Sequence, residues 1–283
     1  MNRLLNFLFK INMEEKTMAN INNFVIDHVI RGIMFSTADG SYMWSVNQIS
    51  DPTLSVTADT AQAVDAMGTP IATFNRGKQA EFSASNSLFD LGLYAAQQGN
   101  DKLVASDDET FVAPTFEEWK YNGSSTYTLN KEPVSASEPL RYVYLLAGDG
   151  TVAKTYTRDD SANDENHFTY NDATNTVTLP TGLKTGDNLL FIYDYNCSKG
   201  SAVVGDAVHF PKAGRFIMEV LGTDTCDPTT LIHAYVEFPN AKLDANVDIS
   251  FATDGTHPFT IQAQQNYCDG EKILFRVIIP NEE

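Results

Sequence analysis

The side chains most able to do chemistry in this sequence are its histidines, and their spacing forms no catalytic or metal-binding motif. No pair has the H-E-x-x-H spacing that places two imidazoles on one helical face for zinc. The stretch LIHAYVEF makes His233 a strand residue with a hydrogen-bonded ring rather than a ligand. The five histidines are His28, His167, His209, His233 and His257.

Motifs for phosphate binding and for nucleophilic catalysis are also missing from the sequence. There is no G-x-G-x-x-G or G-x-x-x-x-G-K-[ST] loop, and there is no G-x-S-x-G elbow. The sequence therefore predicts a protein that is not an enzyme, with no catalytic residue, no cofactor and no metal.

Two groups of acidic residues test this interpretation. Residues 158–166, RDDSANDEN, are as acidic as a calcium loop but lack its central glycine and its final glutamate at the correct spacing. This run is predicted to be a solvated hairpin tip. Glu117 and Glu118 are adjacent, so on a strand they point to opposite sides and do not indicate a glycosidase pair.

The three cysteines, Cys197, Cys226 and Cys268, indicate free thiols. Their number is odd and no C-x-x-C spacing occurs, which argues against a disulfide framework and a zinc knuckle. Cys226 and Cys268 have acidic neighbours, whereas a reactive thiol needs a positive surrounding.

The net charge of −18 is large for 283 residues. It argues against a surface that grips nucleic acid or an anionic membrane, because phosphate contacts need clustered lysine or arginine. Two interpretations stay open: an acidic wall that lets DNA slide past, or a charge that only keeps the protein in solution. No apolar run approaches the length of a membrane span, so no membrane partner is expected. Residues 1–17 are predicted to be a disordered N-terminal extension.

Most of the remaining sequence reads as short β-strands separated by turns. Alternating apolar residues mark strands in stretches such as SYMWSVNQIS (41–50) and DNLLFIYDYNC (187–197). The predicted fold class is mainly β: an antiparallel β-sandwich or barrel, with one short flanking helix and an inserted small β-sandwich module. The main β-domain is predicted to comprise residues 18–128 and 203–283, and the inserted module residues 129–202.

The one clear helix is predicted in SASNSLFDLGLYAAQQGND (83–101), after a strand. Ser85 or Asn86 is the expected N-cap, and Gly99 is expected to end the helix. The carboxylate of Asp90 lies near the predicted N-terminus, where the helix dipole stabilises a negative charge. A helix of about three turns hardly persists alone, so its apolar face must pack against a sheet. Its uncharged polar rim suits a protein contact. The candidate packing and assembly residues are Leu88, Phe89, Leu91, Leu93, Gln97 and Gln98.

Three stretches together resemble bacteriophage tail tube proteins, the major tail proteins, or related phage virion structural proteins. They are RGKQAEFSASNSLFDLGLYAAQQGND (76–101), VTLPTGLKTGDNLLFIYDYNC (177–197) and the long strands of residues 215–266. The likeness lies in the order of the predicted strands and helix and in their residue patterns, since none of the three stretches is a diagnostic motif.

This resemblance implies a β-sandwich subunit that joins copies of itself into stacked rings, typically hexameric, around a DNA conduit. The implied partners are other copies of the chain, tail proteins such as the tape measure and the tail terminator, and passing DNA without specific binding. The implied location is the virion, in the phage tail, after synthesis in the host bacterial cytoplasm.

Two alternatives remain at this stage. One is a capsid-decorating or other head–tail structural protein. The other belongs to a different class, a carbohydrate-binding or adhesin-like β-module, in which Trp44, Trp119 and the tyrosines would stack on sugars.

Overall fold

The computed structural model describes residues 23–134, 140–161, 163–225, 228–265 and 272–280. The extension predicted for residues 1–17, Cys226 and Cys268 lie outside the described residues. Within them, no helix is both long enough and apolar enough to cross a membrane. The elements are β1 Phe24–Ser36, β2 Tyr42–Val46, β3 Ile49–Val64, β4 Pro70–Asn86, α1 Leu91–Gln98, β5 Leu103–Val104, β6 Phe111–Lys120, β7 Thr126–Thr128, β8 Tyr142–Leu146, β9 Val152–Arg158, β10 His167–Asn171, β11 Thr176–Thr178, β12 Asn188–Cys197, β13 Ser201–Ala202, β14 Ala213–Asp224, β15 Leu231–Leu243, β16 His257–Ala263 and β17 Arg276–Ile278.

The fold is mainly β, as predicted, and the chain divides into two compact units. The first unit holds the described residues up to Lys102 and from Val203 onward. Its strands form one antiparallel sheet in the order β2-β1-β14-β15-β16-β4-β3, and β17 also pairs with β15. Only Asn47 and Gln48 separate β2 from β3, so the two edges of the sheet approach each other and the sheet curls into a half-barrel.

The core of the first unit is aromatic. Trp44 stacks on Phe216 at 5.7 Å between ring centroids, and Phe82 and Phe259 pack around the same pair. Gly32 makes this packing possible, because a Cβ built there would lie 2.8 Å from the Phe216 ring. Any larger residue at position 32 must therefore displace an aromatic side chain of the core.

Strands β3 and β4 form one long hairpin, which corrects the sequence interpretation of residues 70–85. The sequence PIATFNRGKQAEFSAS (70–85) predicts two strand segments around a turn at NRGK, whereas the structure has a single strand, Pro70–Asn86. Gly77 adopts φ 58° inside β4, and the pairing shifts register between Thr57 and Asp59 opposite it. A glycine inside a strand marked a bulge here and not a turn.

The second unit spans Leu103–Ala202 and has its own core around Phe168, Leu189 and Phe191. Its main sheet runs β6-β12-β8-β9-β10-β11-β7 and is antiparallel except for β9 with β10. The unit begins earlier than the predicted module start at residue 129, because β6 and β7 pair with strands of this unit. The stretches ASDDE and APTFEEWKYNGSS make residues 101–128 look like a loop in the sequence, but the structure forms β6 there, with Pro114 inside it. Since β6 is an edge strand, a residue without an N–H is tolerated there.

Two further strand predictions for the C-terminal part are wrong. The stretches NVDISFATDG (246–255) and PFTIQAQQN (258–266) predict two strands facing each other across a turn, but no strand forms in 246–255, and β16 pairs with β15 and β4 instead. In LIHAYVEFPNAKL (231–243) the proline Pro239 predicts the end of a strand, yet it lies inside β15. The pairing of β14 with β15 has an irregularity between Gly214 and Phe216, opposite this proline, so no ladder hydrogen bond from Pro239 is needed.

Candidate assembly surfaces

The helix begins later than the sequence predicted. Asp90 is the N-cap, and its Oδ1 accepts a hydrogen bond of 2.7 Å from the Leu93 backbone N–H. Ser85 and Asn86 belong to β4 instead, and the Asn86 side chain donates to the Leu88 carbonyl at 2.7 Å. Asp90 therefore satisfies an orphan N–H of the first turn directly, beyond its favourable position near the positive end of the dipole.

The predicted helix end at Gly99 is confirmed. Gly99 has φ 73°, its N–H donates to the Ala96 carbonyl, and the Asn100 N–H donates to the Ala95 carbonyl. A Cβ at Gly99 would lie 2.3 Å from the Phe210 carbonyl oxygen. Both the left-handed backbone and this close approach require glycine.

The six candidate residues of the helix region separate into three environments. Leu93 and Gln97 are buried, Leu91 and Gln98 are half-buried, and Leu88 and Phe89 precede the helix and are exposed. Leu93 belongs to the core of the first unit, so its predicted packing role agrees with its position. Gln97 was assigned to a polar rim, but the structure places it inside.

Gln97 is buried because it binds His257, a residue that sequence reasoning missed. The Asp90 backbone N–H donates to Nδ1 of His257 at 3.2 Å, so Nδ1 is unprotonated and Nε2 carries the hydrogen. Nε2 then donates to Gln97 Oε1 at 2.7 Å, and Gln97 Nε2 donates to the Pro258 carbonyl at 3.0 Å. Burial lowers the pKa of His257, although the nearby Asp90 carboxylate opposes this shift. A neutral imidazole thus joins both ends of α1 to β16.

An exposed aromatic cluster borders this buried link. The Phe89 ring stacks on His257 at 5.3 Å and lies 6.1 Å from Phe251, which is 90% exposed. Leu88, 63% exposed, adjoins Phe89 in sequence. The helix begins only at Leu91, so Leu88 and Phe89 precede it, although the Phe89 ring also lies 5.8 Å from that of Tyr94 on the helix.

Two ladders of ion pairs cross the face of the first unit's sheet opposite to its core. Glu219 binds Arg31 at 2.5 Å and His233 at 2.8 Å, while Glu237 binds Arg215 at 2.8 Å. Burial alone would raise the pKa of Glu219, but the hydrogen bonds from Arg31 and His233 outweigh it and lower that pKa. A second arginine, Arg276, reaches Glu237 at 3.7 Å. His233 is a strand residue with a bound ring nitrogen, as predicted.

The second unit contains a buried carboxylate that the sequence did not reveal. Glu117 accepts hydrogen bonds from the hydroxyls of Tyr127 and Tyr193 and from the backbone and side-chain nitrogens of Asn130. Burial and the bond to Glu117 raise the pKa of Tyr127 to about 12 and also raise that of Tyr193. The hydrogen bonds are complete and both hydroxyls are donors, so the cluster ties β6 to β7 and β12 and is not arranged as a general base.

Two carboxylates of the acidic run 158–166 bind groups within the run itself. Asp164 Oδ1 accepts from the Asn166 N–H at 2.7 Å, and Asp160 binds the Arg158 guanidinium at 2.8 Å. Among the described residues, no group of three or more histidine, cysteine or acidic side chains is placed to hold a metal. Of the two tryptophans proposed to stack on sugars, Trp44 is 1% exposed, and Trp119 is half-buried against Tyr127.

The distal part of the β3–β4 hairpin is the most exposed regular structure in the first unit. We call Thr57–Gln79 the β3–β4 arm. Its two strands pair only with each other in the described part of the chain, because the β16 pairing of β4 stops at Glu81. Within the arm only Ala61 and Ala72 are half-buried, and every other residue is exposed. The exposed large apolar side chains of the arm are Val64, Met67, Ile71 and Phe74.

Both edges of the sheet are open as well. In the described residues β2 pairs only with β1, and β3 pairs only with β4. Such edges present a row of free N–H and C=O groups that pair readily with another chain.

The model of the YomU/Tube protein family matches residues 24–272. The chain belongs to this family. Membership makes it a phage-related, tube-like structural protein. The comparison with curated proteins gave no match.

The match to the YomU/Tube family covers the whole second unit and most of the first, including helix α1 and the whole β3–β4 arm, but it ends before β17. The extension predicted for residues 1–17 lies outside the match. The β3–β4 arm and the two open edge strands, β2 and β3, therefore lie within the residues that the family model matches.

Proposed function

We propose that this YomU/Tube family member is a virion structural protein, the tail tube subunit, which assembles into stacked rings that form a conduit for DNA ejection. Six subunits per ring follow from the resemblance to tail tube proteins. In this proposal the protein is not an enzyme, and it acts through surfaces that meet other copies of itself.

The observation that carries this proposal is the β3–β4 arm. An isolated two-stranded ribbon is only marginally stable in water, and three or more strands or a packed face are needed for independent stability. The arm has neither within the described residues, and it exposes Met67 (92%) and Phe74 (52%). A surface of this kind is explained if a neighbouring subunit covers it in the assembled protein.

The open edges supply a second contact between subunits. Strands β2 and β3 lie at opposite ends of the sheet order, so an edge of one subunit meets a different edge of the next. Such a contact is heterologous, and it forms a ring when the rotation closes. The sheet then continues from subunit to subunit, and no edge is left exposed to aggregation.

The remaining parts of the proposal concern partners and position. A chain of net charge −18 can line a channel through which DNA moves without binding. The ends of such a tube are expected to bind the tape measure and the tail terminator. The exposed side chains of Leu88 and Phe89 are proposed to contact a neighbouring subunit, and the protein is expected in the phage tail after synthesis in the host bacterial cytoplasm.

Electron microscopy of the purified chain over a range of concentrations tests the proposal. Rings or tubes with a central channel are expected, and rotational averaging of end views gives the number of subunits. Light scattering after size exclusion should show mass that rises with concentration. A chain that stays monomeric at millimolar concentration contradicts the proposal. Closed particles without a channel, or binding to capsids alone, favour the decorating-protein alternative.

A further inference from the structure

A groove of about 670 Å³ lies in the first unit between helix α1 and strand β2. The turn that joins β1 to β2 and the segment after the helix complete its wall. Its apolar lining comes mainly from two elements, with small residues that leave room between them. The apolar lining residues on these two elements are Met43, Trp44, Leu91, Ala95 and Ala96.

One polar atom of this lining lacks a partner. Trp44 is 1% exposed, and its indole Nε1 has no hydrogen-bond acceptor among the described residues. A buried N–H without an acceptor is rare in folded proteins and costs about 1–3 kcal/mol. The groove also runs along β2, whose outer edge has no strand partner in the described part of the chain. The open edge of β2 fits an occupant that brings backbone carbonyl groups, whereas the Trp44 indole N–H is enclosed and is not within reach of an occupant.

The tip of the β3–β4 arm is a compact turn with one prominent apolar side chain. Asp65 Oδ1 accepts hydrogen bonds from the Met67 and Thr69 N–H groups at 2.9 and 2.8 Å. Gly68, at φ 85°, completes the turn and donates to the Asp65 carbonyl at 3.0 Å. The tip is therefore held in shape before any contact forms, which reduces the entropy lost on binding.

We propose that the tip of the arm in one subunit docks in the α1–β2 groove of a second copy of this chain. The inference rests on the proposed function, because it specifies the contact by which copies associate. Met67 enters the apolar part of the groove, and the backbone of the turn supplies acceptors to its polar lining.

Charge supports the same occupant. Asp65 lies two residues from Met67, and Lys102 and Lys212 line the groove. Two acidic residues, Asp90 and Asp101, line it as well, so the charged side chains of the lining balance. In a chain of net charge −18, the groove is therefore a locally neutral surface that the acidic tip can approach without strong repulsion.

The contact has a geometric consequence. The tip and the groove are different surfaces of one chain, so each subunit offers a free tip to one neighbour and a free groove to another. A heterologous contact of this type propagates in one direction unless a rotation closes it. If the open sheet edges close the ring, the tip and groove are left to join one ring to the next.

Disulfide trapping tests the contact directly. We would replace Cys226 and Cys268 by serine, keep the buried Cys197, and add Met67→Cys together with Ala38→Cys, since Ala38 is an exposed residue that lines the groove. Mild oxidation should give a ladder of linked dimers, trimers and larger species on a non-reducing gel. The matched control pairs Met67→Cys with Val208→Cys, an exposed position that does not line the groove, and should give at least tenfold less ladder. Equal ladders from the two pairs overturn the inference.

A second variant keeps the test independent of thiol chemistry. Met67→Asp should raise the concentration needed for assembly by at least tenfold, whereas Met67→Leu should leave it nearly unchanged. If the unsubstituted chain forms tubes and Met67→Asp forms them equally well, the docking site is wrong while the proposed function stands. If the unsubstituted chain neither assembles nor cross-links at any concentration, both are wrong. Capture of another protein by the groove, without self-association, also overturns the inference.

Discussion

Two hairpins, β8–β9 and the β3–β4 arm, have opposite environments. In β8–β9 one face is buried, with Val143 fully enclosed and Tyr156 nearly so. In the arm neither face is covered, and most of its residues are small or polar. The first hairpin is therefore stabilised by its own unit, while the arm exposes its few large apolar side chains and has no packing partner in the described part of the chain.

The difference separates residues that fold the chain from residues that, under the proposed function, join chains. A buried side chain of the second unit contributes to the free energy of unfolding of a single molecule. An apolar side chain of the arm contributes little to it, because it stays exposed in the folded monomer, and under the proposed function its contribution appears on association. Measurements of stability and of assembly should therefore respond to different substitutions.

The largest effect on stability is expected in the second unit. Phe191 is fully buried and pairs with Val143 across β12 and β8. Phe191→Ala should lower the free energy of unfolding by about 3–5 kcal/mol, because it removes apolar contacts and leaves a cavity. Urea unfolding followed by circular dichroism measures the change. A loss below about 1 kcal/mol would mean that this core repacks freely.

Removing the second unit tests its boundaries. Leu103 pairs with Ala202 and Val104 with Ser201, so the chain enters and leaves this unit on adjacent strands. Replacing residues 103–202 by a short Gly–Ser linker should leave the first unit folded with a cooperative melting transition. Removing only residues 129–202 should give a less stable protein, because β6 loses β12 and exposes Trp119. Equal melting temperatures for the two deletions would contradict the boundary at Leu103.

Acid should weaken the link between the helix and β16. The pKa of His257 is lowered in the folded state, so between that lowered value and about 6.5 the unfolded chain binds more protons than the folded one. Stability conferred by the neutral imidazole is therefore complete above about pH 6.5 and is lost as the pH falls below it, by at most about 1.4 kcal/mol per pH unit. Chemical unfolding between pH 5.5 and 7.5 measures the slope.

His257→Gln removes the titrating group from this site and should flatten the slope, while His28→Gln, at an exposed position, serves as the control. A slope that is unchanged in His257→Gln would assign the effect to another group.

A smaller effect is expected at the N-cap of the helix. Asp90→Ala removes the acceptor for the Leu93 N–H and should cost about 1 kcal/mol, whereas Asp90→Asn should retain most of that stability. Thermal unfolding of the three proteins compares them. Equal losses for alanine and asparagine would mean that charge, and not the hydrogen bond, is what matters.

The smallest effect on stability is expected on the arm. Phe74→Ala should change the free energy of unfolding of the dilute protein by less than about 0.5 kcal/mol, as for other surface substitutions. The same variant should need a higher concentration to assemble, measured by light scattering. A large loss of monomer stability would show that Phe74 packs within its own chain, and would remove the contrast with Phe191.

Several elements of the fold could be predicted from local sequence patterns. The hairpin around Gly148–Gly150, the strand pair around Asn171–Asn175 and the helix end at Gly99 follow from alternation and turn residues, and the structure confirms them. These signals work because the hydrogen bonds and side-chain contacts that they imply lie close together in sequence.

The predictions that were wrong concern features that are set by residues distant in the sequence. The helix start was misplaced because Ser85, Asn86 and Asp90 are all good N-caps, and the choice among them depends on how far β4 pairs with β16. Gln97 was assigned to the surface because nothing in its own sequence indicates His257, which lies far along the chain. The lone arm was not predicted either, since strand alternation does not report whether a third strand or a covering layer is present.

The paired ladders on the sheet face of the first unit have a consequence for a moving polyanion. Because Glu219 and Glu237 are held almost out of water between their partners, salt screens these pairs less than it screens free surface charges. The arginine side chains are already occupied, so a phosphate group must break an existing pair before it can bind. If DNA passes this face, as the proposed function requires, we expect it to be neither bound tightly nor strongly repelled, with little change across the ionic strengths found inside and outside a cell.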